Sequence, residues 1–544
     1  MRFEDIVDPR LAVVLGSAAP ALRAWGAARG LGWTLDRRLT EGRSGAVTAF
    51  VFERDTGAAR NGAQAAGRKL LMKMDSCPDE DLGESEFARH RAALRDAPDF
   101  ARLHLAELAP PGHDLVPVGD GRWIVFQHVA ADTVGEGGVH DLDVLSKALA
   151  SVAAGGPVRT AGEPTEGTIS CAPDVLVGFS AHLVRTVLRE WAGQPDIGFT
   201  DTAGYLREHI KGRLGANRPL RLVADRLTHD WMVVGDDRQA LPNPFVLLRD
   251  ESPLPYLHGR AHGDLHTGNV VVPVSVLAEH SPFRLVDLAK YSARAPLAAD
   301  PAGFVLYVVT RVLRYLSESD QNAVSALLAR AHDGPATPPW LASLVERVRA
   351  ESERWASSYI QARDWAPQWR LSLVGAALVL LGRASTRVSD RMWLLRLAGR
   401  ITAVHLGSGR QPARSGYTSV TPELLTLTAG RPESGAETWR EWFCEYLPRL
   451  AGKASDLAST EQLDSLRASA RAGEDRRADF LDLVRRLDGT SPVLRGVEET
   501  DKPVDEVLTC PLASNRCVRV VRPRPVDDEP RCALNRTRMR REFW

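Results

Sequence analysis

Short apolar runs between polar turns predict a small antiparallel sheet within residues 39–129. Apolar positions flank a glycine-containing turn at 39–52, and a second run at 70–74 carries an embedded lysine, Lys73. Two more runs, at 115–118 and 123–129, lie on either side of a Gly-Asp-Gly turn. Short apolar runs bounded by turn residues are typical of strands.

Helical spacing dominates the rest of the chain, including most of 130–260. From about residue 407 the composition changes to a Gly/Arg/Ser linker, then to helical patterns rich in Arg, Asp and Glu. Beyond residue 489 the chain is rich in Pro, Arg and Asp, which is typical of loose order. The predicted helices lie at 11–28, 84–94, 176–191, 205–214, 304–316, 339–364, 371–382 and 391–406.

These patterns predict an α+β chain with four divisions. A helical lead-in occupies 1–38, and the small sheet occupies 39–129. A large helical region follows at 130–406, and a C-terminal extension at 407–544 is helical and then loosely ordered.

Composition and charge narrow the class of protein. The 544 residues are 44% hydrophobic and 25% charged, which is ordinary for a globular protein. The 69 basic and 69 acidic residues give a net charge of zero, so charge gives no indication that the protein binds nucleic acid or a membrane. Six cysteines in this length favour a reducing compartment over a disulfide scaffold. The N-terminus has no signal-peptide pattern, and the most apolar run, 371–382, is shorter than the roughly 20 residues that span a bilayer. We therefore expect a cytoplasmic protein, and the abundance of Ala, Arg and Gly suggests a GC-rich bacterial genome.

The candidate chemistry is concentrated in two neighbouring segments. Residues 261–269 read Ala-His-Gly-Asp-Leu-His-Thr-Gly-Asn, which places Asp264 five positions before Asn269. An apolar run at 270–272 and another ending at Asp287 predict a hairpin that brings Asn269 and Asp287 side by side. Two acids and an amide suit metal-assisted phosphoryl transfer, because one carboxylate orients the acceptor hydroxyl while the amide oxygen and the other carboxylate hold Mg²⁺.

These segments resemble the aminoglycoside phosphotransferase-like family of the protein-kinase-like superfamily, which also includes choline, fructosamine and methylthioribose kinases. The resemblance rests on His-Gly-Asp-Leu-His-x-Gly-Asn at 262–269 and on the strand end at 285–287, and it covers roughly 39–406. It implies a bilobal protein-kinase-like fold, with a sheet-containing N-lobe, a helical C-lobe that includes acceptor-site helices, and ATP and Mg²⁺ as cofactors. It also implies that Asp264 is the catalytic residue, which orients the acceptor hydroxyl, and that Asn269 and Asp287 are the metal ligands.

The same resemblance implies the roles of two charged residues before the catalytic loop. Lys73 would contact the nucleotide phosphates, steadied by Glu86 on the following helix, with Glu84 in reserve. The alternative is that Glu86 is simply an exposed acid at a helix start, where the helix dipole stabilises a negative charge. After the hairpin, Asp300 would brace the catalytic loop, or act as a helix N-cap before Pro301.

The remaining implied nucleotide contacts lie at the edges of the sheet. Gly42, Ser44 and Gly45 would lay backbone N–H groups over the phosphates, although similar turns occur in ordinary hairpins. The backbone near Gln127 to Val129 would bind adenine.

The predicted function is transfer of the γ-phosphate of MgATP to a hydroxyl of a small-molecule acceptor. The long 130–260 stretch shows no acidic cluster suited to a polycationic drug. One alternative is a protein kinase, although Gly263 replaces the usual Arg and no Ala-Pro-Glu segment follows Asp287. The other is a nucleotide-binding regulatory or scaffold module of a bacterial defence or signalling system, with 407–544 as its partner-binding part. Cys510, Cys517 and Cys532 in that extension lack the usual spacing of zinc ligands.

Overall fold

The computed structural model describes most of the chain between residues 6 and 425, with shorter segments beyond. The described residues are 6–39, 47–56, 68–76, 85–108, 115–119, 121–128, 172–215, 218–235, 240–272, 277–330, 338–383, 386–407, 416–422, 424–425, 457–472, 474, 476, 479–480, 483, 507–509 and 540–542.

Contacts divide the chain into two compact units. One comprises Met1–Asp8, Ser17–Asp36 and Glu41–Ala429, and the other comprises Pro9–Gly16, Arg37–Thr40 and Gly430–Trp544. The candidate site lies wholly in the first unit.

The helices form most of the chain after the first sheet. Their bounds are α1 Pro9–Leu15, α2 Ala19–Arg29, α3 Glu86–Asp96, α4 Pro98–His104, α5 Pro173–Thr186, α6 Thr202–His209, α7 Pro219–Arg226, α8 Ala299–Val312, α9 Glu318–Ala329, α10 Pro339–Ala356, α11 Ala362–Leu381, α12 Val388–Leu406 and α13 Leu457–Ala472. A π-helical turn, Val187–Trp191, continues α5, and short 3-10 turns lie at Thr267–Asn269 and Leu288–Lys290.

The strands make one larger sheet and several small ones. Their bounds are β1 Leu31–Leu39, β2 Val47–Asp55, β3 Arg68–Ser76, β4 Val116–Gly119, β5 Arg122–His128, β6 Asp196–Asp201, β7 Trp231–Val234, β8 Leu241–Pro242, β9 Pro253–Ala261, β10 Val270–Val271, β11 Arg284–Leu285, β12 Ser292–Pro296, β13 Tyr417–Val420, β14 Val507–Thr509 and β15 Arg540–Glu542. The larger sheet has the order β1-β2-β3-β5-β4. The small sheets have the orders β12-β9-β6, β13-β7-β8, β10-β11 and β14-β15.

The N-terminal sheet has the antiparallel pairing that the sequence predicts, with one further strand. β3 lies between β2 and β5 and runs antiparallel to both, and β4 pairs with β5. The additional strand, β1, follows the left-handed Gly30 (φ 68°) that ends α2. Trp33 on β1 is fully buried and stacks on Phe126 of β5 at a centroid distance of 5.3 Å. The sequence pattern assigns residues 31–38 to the helical lead-in, and this packing explains why they instead form a strand of the sheet.

The helical region encloses the main hydrophobic core. The tryptophans at 340, 355, 365, 369 and 393 pack in or against this core, and Trp365 and Trp369 of α11 are buried. The prediction that 130–260 is mostly helical does not hold at β6, which lies between α5 and α6, or at β7 to β9, which follow α7. β6 pairs with one edge of β9, and because Ile197 and Phe199 are exposed its side chains give no clear periodic signal. The observed class is α+β, with a sheet-rich N-terminal region followed by a mostly helical one.

The segment after α12 does not begin the extension directly. β13 returns to pair in parallel with β7, so Tyr417–Val420 belongs to a sheet of the first unit. In the second unit, α13 falls in the part of the extension where the sequence shows helical patterns, and β14 pairs antiparallel with β15.

The helical segment Pro9–Arg29 is long and apolar enough, by length and composition, to cross a membrane, with a mean hydropathy of 1.3. A 3-10 turn interrupts it at Gly16–Ala18, where Gly16 has a φ of 54°. Buried helices of soluble proteins and N-terminal signal sequences meet the same criterion. The expectation of no membrane partner therefore stays a prediction.

Candidate functional site

A short hairpin holds the central residues of the candidate site. β9 ends at Ala261, and the loop after it enters the 3-10 turn Thr267–Asn269 and then β10. β10 pairs antiparallel with β11, with Val270 opposite Leu285. Val286 N donates to Asn269 O at 3.1 Å, so the two chain segments remain adjacent up to Asp287. The predicted hairpin is confirmed.

Asp300 fastens the loop before Asp264. Its two carboxylate oxygens accept from the backbone N–H groups of His262 and Gly263, at 2.7 and 2.9 Å. Asp300 is buried and is the second residue of α8, whose N-cap is Ala298. Of the two roles predicted for Asp300, the structure therefore supports bracing the catalytic loop and not capping the helix.

Gly263 occupies a position that a side chain does not fit. Its φ is 77°, in the left-handed region, and a Cβ there would lie 2.3 Å from Lys290 O. L-residues with a Cβ avoid this backbone region. At the position where the protein kinase pattern has Arg, this loop therefore needs glycine, because only a residue without a side chain lets the loop pack against the 287–291 segment.

His262 and Asn269 fix the geometry around Asp264. His262 is fully buried, and its ring contacts Val286 O through Nε2 at 2.9 Å and Asp264 N through Nδ1 at 3.3 Å. Asn269 Nδ2 donates to Asp264 O at 2.9 Å. The hydrogen bonds of both side chains hold the backbone of Asp264, leaving its carboxylate half-exposed at 38%.

Asp287 has an unusual backbone for a non-glycine residue. Its φ and ψ are 60° and 63°, and it directly precedes the 3-10 turn Leu288–Lys290. A left-handed non-glycine residue costs on the order of 1–3 kcal/mol and is frequent at functional sites. This bend ends the pairing of β11 and leaves the carboxylate 46% exposed.

Lys73 joins the sheet to the hairpin. Its Nζ forms a salt bridge with Glu86 and lies 3.3 Å from Asp287 Oδ1. Burial lowers the pKa of Lys73, but the carboxylates of Glu86 and Asp287 outweigh that effect and raise it above the ordinary value. The pairing of Lys73 with Glu86 is as predicted, and Asp287 is a second partner.

The position of α3 explains why Glu86 is the partner. Ser85 caps the helix by accepting from Ala88 N at 3.2 Å, so Glu86 is its first residue. Glu86 is only 7% exposed. Arg89, one turn later, donates to Ala289 O at 2.8 Å, which holds the helix against the segment after Asp287. The reserve candidate, Glu84, lies outside the described residues.

Several predicted nucleotide contacts lie outside the described part of the chain. These are Gly42, Ser44, Gly45 and Val129; the three cysteines of the extension are also outside it. Gln127 is described and buried on β5, opposite Leu71, with a bridge to Leu108 on its other side. Its contact with adenine stays a prediction.

Two residues of the site carry no signal in the sequence. Arg383, just after α11, donates from Nη2 to Asp264 Oδ1 at 3.1 Å across 119 positions of sequence. His90 on α3 is fully buried and contacts Ala106 O through Nε2 at 2.7 Å. Burial lowers the pKa of His90 to about 4, against an opposing effect of that hydrogen bond. Neither residue is near a recognisable motif, so only the fold places them here.

The oxygen atoms around the hairpin fit a magnesium ion. Asn269 uses Nδ2 for Asp264 O, so its other amide atom, Oδ1, is an available ligand type. Together with the half-exposed carboxylate of Asp287, it offers the hard oxygen donors that Mg²⁺ prefers. No group of three or more His, Cys, Asp or Glu able to hold a metal occurs among the described residues.

Comparisons with known proteins give structural neighbours only. No protein-family model matches the sequence, and no curated protein gives a significant match. One similar solved structure is a thermostable mutant of aminoglycoside phosphotransferase APH(4)-Ia, with 11% identity, a TM-score of 0.33, and coverage of 70% of this chain and 97% of that one. Another is an ethanolamine kinase of Plasmodium vivax, with 11% identity, a TM-score of 0.24, and coverage of 69% and 82%.

Proposed function

We propose that this chain is an ATP-dependent phosphotransferase with a bilobal protein-kinase-like fold, which moves the γ-phosphate of ATP to a hydroxyl of a small molecule. The observation that carries the proposal is the convergence of Lys73 and Asp287 at 3.3 Å. The two residues are 214 positions apart, and Glu86 from a third element completes the group. A lysine paired with a helix glutamate, next to an acid that can hold Mg²⁺, is the set of charged groups that protein kinases use to bind and activate ATP.

Each residue of the site has a distinct task in this proposal. Lys73, positioned by Glu86, binds the nucleotide phosphates. Asp264 accepts a hydrogen bond from the acceptor hydroxyl and orients its oxygen towards the γ-phosphorus. The new O–P bond forms as the bond to the β–γ bridging oxygen breaks, ADP leaves, and the hydroxyl proton passes to Asp264 and then to solvent. Catalysis is then mainly positioning and charge neutralisation.

Asn269 and Asp287 would hold Mg²⁺. When bound, the ion neutralises charge on the nucleotide phosphates. The carboxylate of Asp287 is half-exposed and lies 3.3 Å from Lys73 Nζ, and Asn269 is fixed through its Nδ2, which leaves its Oδ1 as the ligand atom.

The experiment is a titration of MgATP followed by slow ATP hydrolysis, on the natural sequence and on Asp287→Asn and Asp264→Asn. We expect the unaltered protein to bind MgATP. Asp287→Asn should lose the Mg²⁺ dependence of binding, because an amide replaces the charged ligand. Asp264→Asn should bind nucleotide normally and lose turnover, because the hydroxyl is no longer oriented.

Other outcomes would favour the alternative functions. Absence of nucleotide binding at millimolar MgATP would contradict the phosphotransferase and direct the search to protein partners of 407–544. Nucleotide binding with equal, negligible turnover in all three proteins would favour a regulatory module. Phosphorylation of a protein, with none of small hydroxyl compounds, would favour a protein kinase.

A further inference from the structure

The carboxylate of Asp264 is held by a different contact from those of its backbone. His262 and Asn269 bond its main-chain atoms. The side chain is bonded by Arg383, which follows α11 and donates from Nη2 to Asp264 Oδ1 at 3.1 Å. A carboxylate has about four acceptor sites, so one such contact does not use up the group. Arg383 therefore restricts the orientation of this carboxylate without blocking a hydroxyl from it.

The burial of Arg383 indicates that it acts on Asp264 and not on a substrate. Its side chain is 13% exposed, against 38% for the side chain of Asp264, and its Nη1 is buried. Of the two partners, the aspartate is thus the one that a ligand can reach. Hydrogen bonds from a guanidinium to a carboxylate are strong and directional, so the pair fixes an orientation as well as adding attraction.

An aromatic pair connects the guanidinium of Arg383 to the catalytic loop a second time. Arg383 Cζ lies over the ring of Tyr307, 5.9 Å from its centroid, which is a cation–π distance. Tyr307 stacks on His266, with ring centroids 4.3 Å apart and an angle of 9° between the rings. His266 is two residues after Asp264, and its Nδ1 accepts from Gly268 N at 3.1 Å. Arg383 thus contacts the loop both directly and through two stacked rings.

The main chain of Arg383 is fixed by a second arginine, Arg391 of α12. Arg391 is 4% exposed, and its Nη2 donates to Arg383 O at 2.9 Å. Its Nη1 donates to Leu425 O at 3.0 Å. One buried guanidinium therefore joins the segment after β13 to the residue that holds the carboxylate of Asp264.

We propose that Arg383 is a positioning residue, which sets the carboxylate of Asp264 for the acceptor hydroxyl. This inference rests on the proposed phosphotransferase function. Because that function depends mainly on positioning, a displacement of about 1 Å can lower the rate about a hundredfold. The nucleotide side of the site is where Lys73 meets Asp287, whereas Arg383 is bonded to Asp264. Loss of the guanidinium should therefore lower turnover and leave nucleotide affinity unchanged.

The test uses the full chain and measures ATP hydrolysis, in which water takes the place of the acceptor hydroxyl, together with MgAMP-PNP affinity by calorimetry. Arg383→Gln should lower kcat about ten- to a hundredfold and leave the KM for ATP and the MgAMP-PNP affinity within about twofold. Arg387→Gln is the matched control, because Arg387 forms a salt bridge with Asp390 at 2.7 Å and is 49% exposed. It should leave kcat within about twofold, because exposed ion pairs contribute little.

Arg391→Gln tests the same role without altering the ion pair. It should lower kcat, with unchanged MgAMP-PNP affinity, because Arg383 O loses its bond to Arg391. The double variant with Arg383→Gln should fall no further than Arg383→Gln alone, since residues that act through one contact are not additive. The control is Arg226→Gln, which loses a bond to the same segment, at Leu424 O and 2.6 Å, and should keep its kcat. Since Arg391→Gln leaves the side chains of Arg383 and Asp264 in place, it also serves if Arg383→Gln does not fold.

The outcomes separate this inference from the proposed function. Failure to bind MgAMP-PNP, or turnover that Asp264→Asn leaves unchanged, would contradict the phosphotransferase. Nucleotide binding and turnover that depends on Asp264, with an undiminished kcat in Arg383→Gln, would overturn the positioning role alone. So would an Arg383→Gln variant that loses nucleotide affinity as much as turnover, or losses in kcat that multiply when Arg383→Gln and Arg391→Gln are combined.

Discussion

Replacing Gly263 by alanine tests whether the loop geometry supports the site. The residue has a φ of 77°, and a Cβ would lie 2.3 Å from Lys290 O and 3.0 Å from Lys290 Cβ. Because one of these atoms belongs to the backbone, the contact is relieved only if the loop moves. Gly263 N also donates to Asp300 Oδ1, so such a movement strains the brace of the loop.

The expected cost follows from these contacts. A left-handed alanine costs roughly 1–2 kcal/mol relative to glycine. Weakening a hydrogen bond to a charged acceptor costs roughly 1.5–3 kcal/mol. We therefore expect Gly263→Ala to lower the free energy of unfolding by about 3 kcal/mol or more, and to lower turnover because Asp264 is the next residue.

Gly303→Ala is the matched control for this substitution. Gly303 lies within α8, and a Cβ there meets nothing within 4 Å. Alanine is the better helix former by roughly 0.5–1 kcal/mol, so this variant should be as stable as the natural sequence or slightly more stable. The measurement is urea unfolding at constant temperature, followed by tryptophan fluorescence, together with ATP turnover. A Gly263→Ala protein within 1 kcal/mol of the unaltered one, with full turnover, would refute the reasoning.

Three further predictions concern other contacts of the site. Glu86→Gln should cost about 2 kcal/mol of unfolding free energy and raise the KM for ATP, because it removes one of the two carboxylates that pair with Lys73 among the described residues; equal KM values would contradict it. His90 should make the protein less stable at acid pH, since burial lowers its pKa from an ordinary 6.5 to about 4. Below about pH 6.5 the unfolded chain binds a proton that the folded protein does not, so the free energy of unfolding should fall by about 3 kcal/mol between pH 6.5 and pH 4. His90→Gln should remove that loss in urea unfolding measured between these pH values. Asp300→Asn should lower kcat more than it raises the KM for ATP, because it leaves one loop N–H without its carboxylate oxygen; the reverse split would contradict the brace.

The sequence predicts those parts of the site that local chemistry determines. The hairpin follows from apolar runs on both sides of polar residues, and the structure pairs Val270 with Leu285 accordingly. A lysine embedded in an apolar strand needs a polar partner, and the family resemblance assigns that role to Glu86, which the structure pairs with Lys73. These inferences use neighbours within about one element of each other.

Contacts between distant segments escape sequence patterns. Arg383 is one of many arginines in the chain, and only the packing of α11 brings it to Asp264. The sequence pattern places residues 31–38 in the lead-in, because the strand character of β1 depends on the stacking of Trp33 on Phe126. β6 is half-polar and gains its structure by pairing with β9. In each case the deciding interaction is tertiary, which local propensity does not report.

The position of α3 couples the sheet to the catalytic hairpin. The helix contacts the segment after Asp287 at both ends, because Arg89 donates to Ala289 O at 2.8 Å and Asp96 Oδ2 accepts from the Tyr291 hydroxyl at 3.0 Å. Glu86, at its first turn, reaches Lys73 at the same time. A displacement of α3 would therefore separate Glu86 from the sheet and pull on the turn that follows Asp287. The lysine, its glutamate and the second acid are thus positioned by one helix, so this site is assembled as a unit rather than residue by residue.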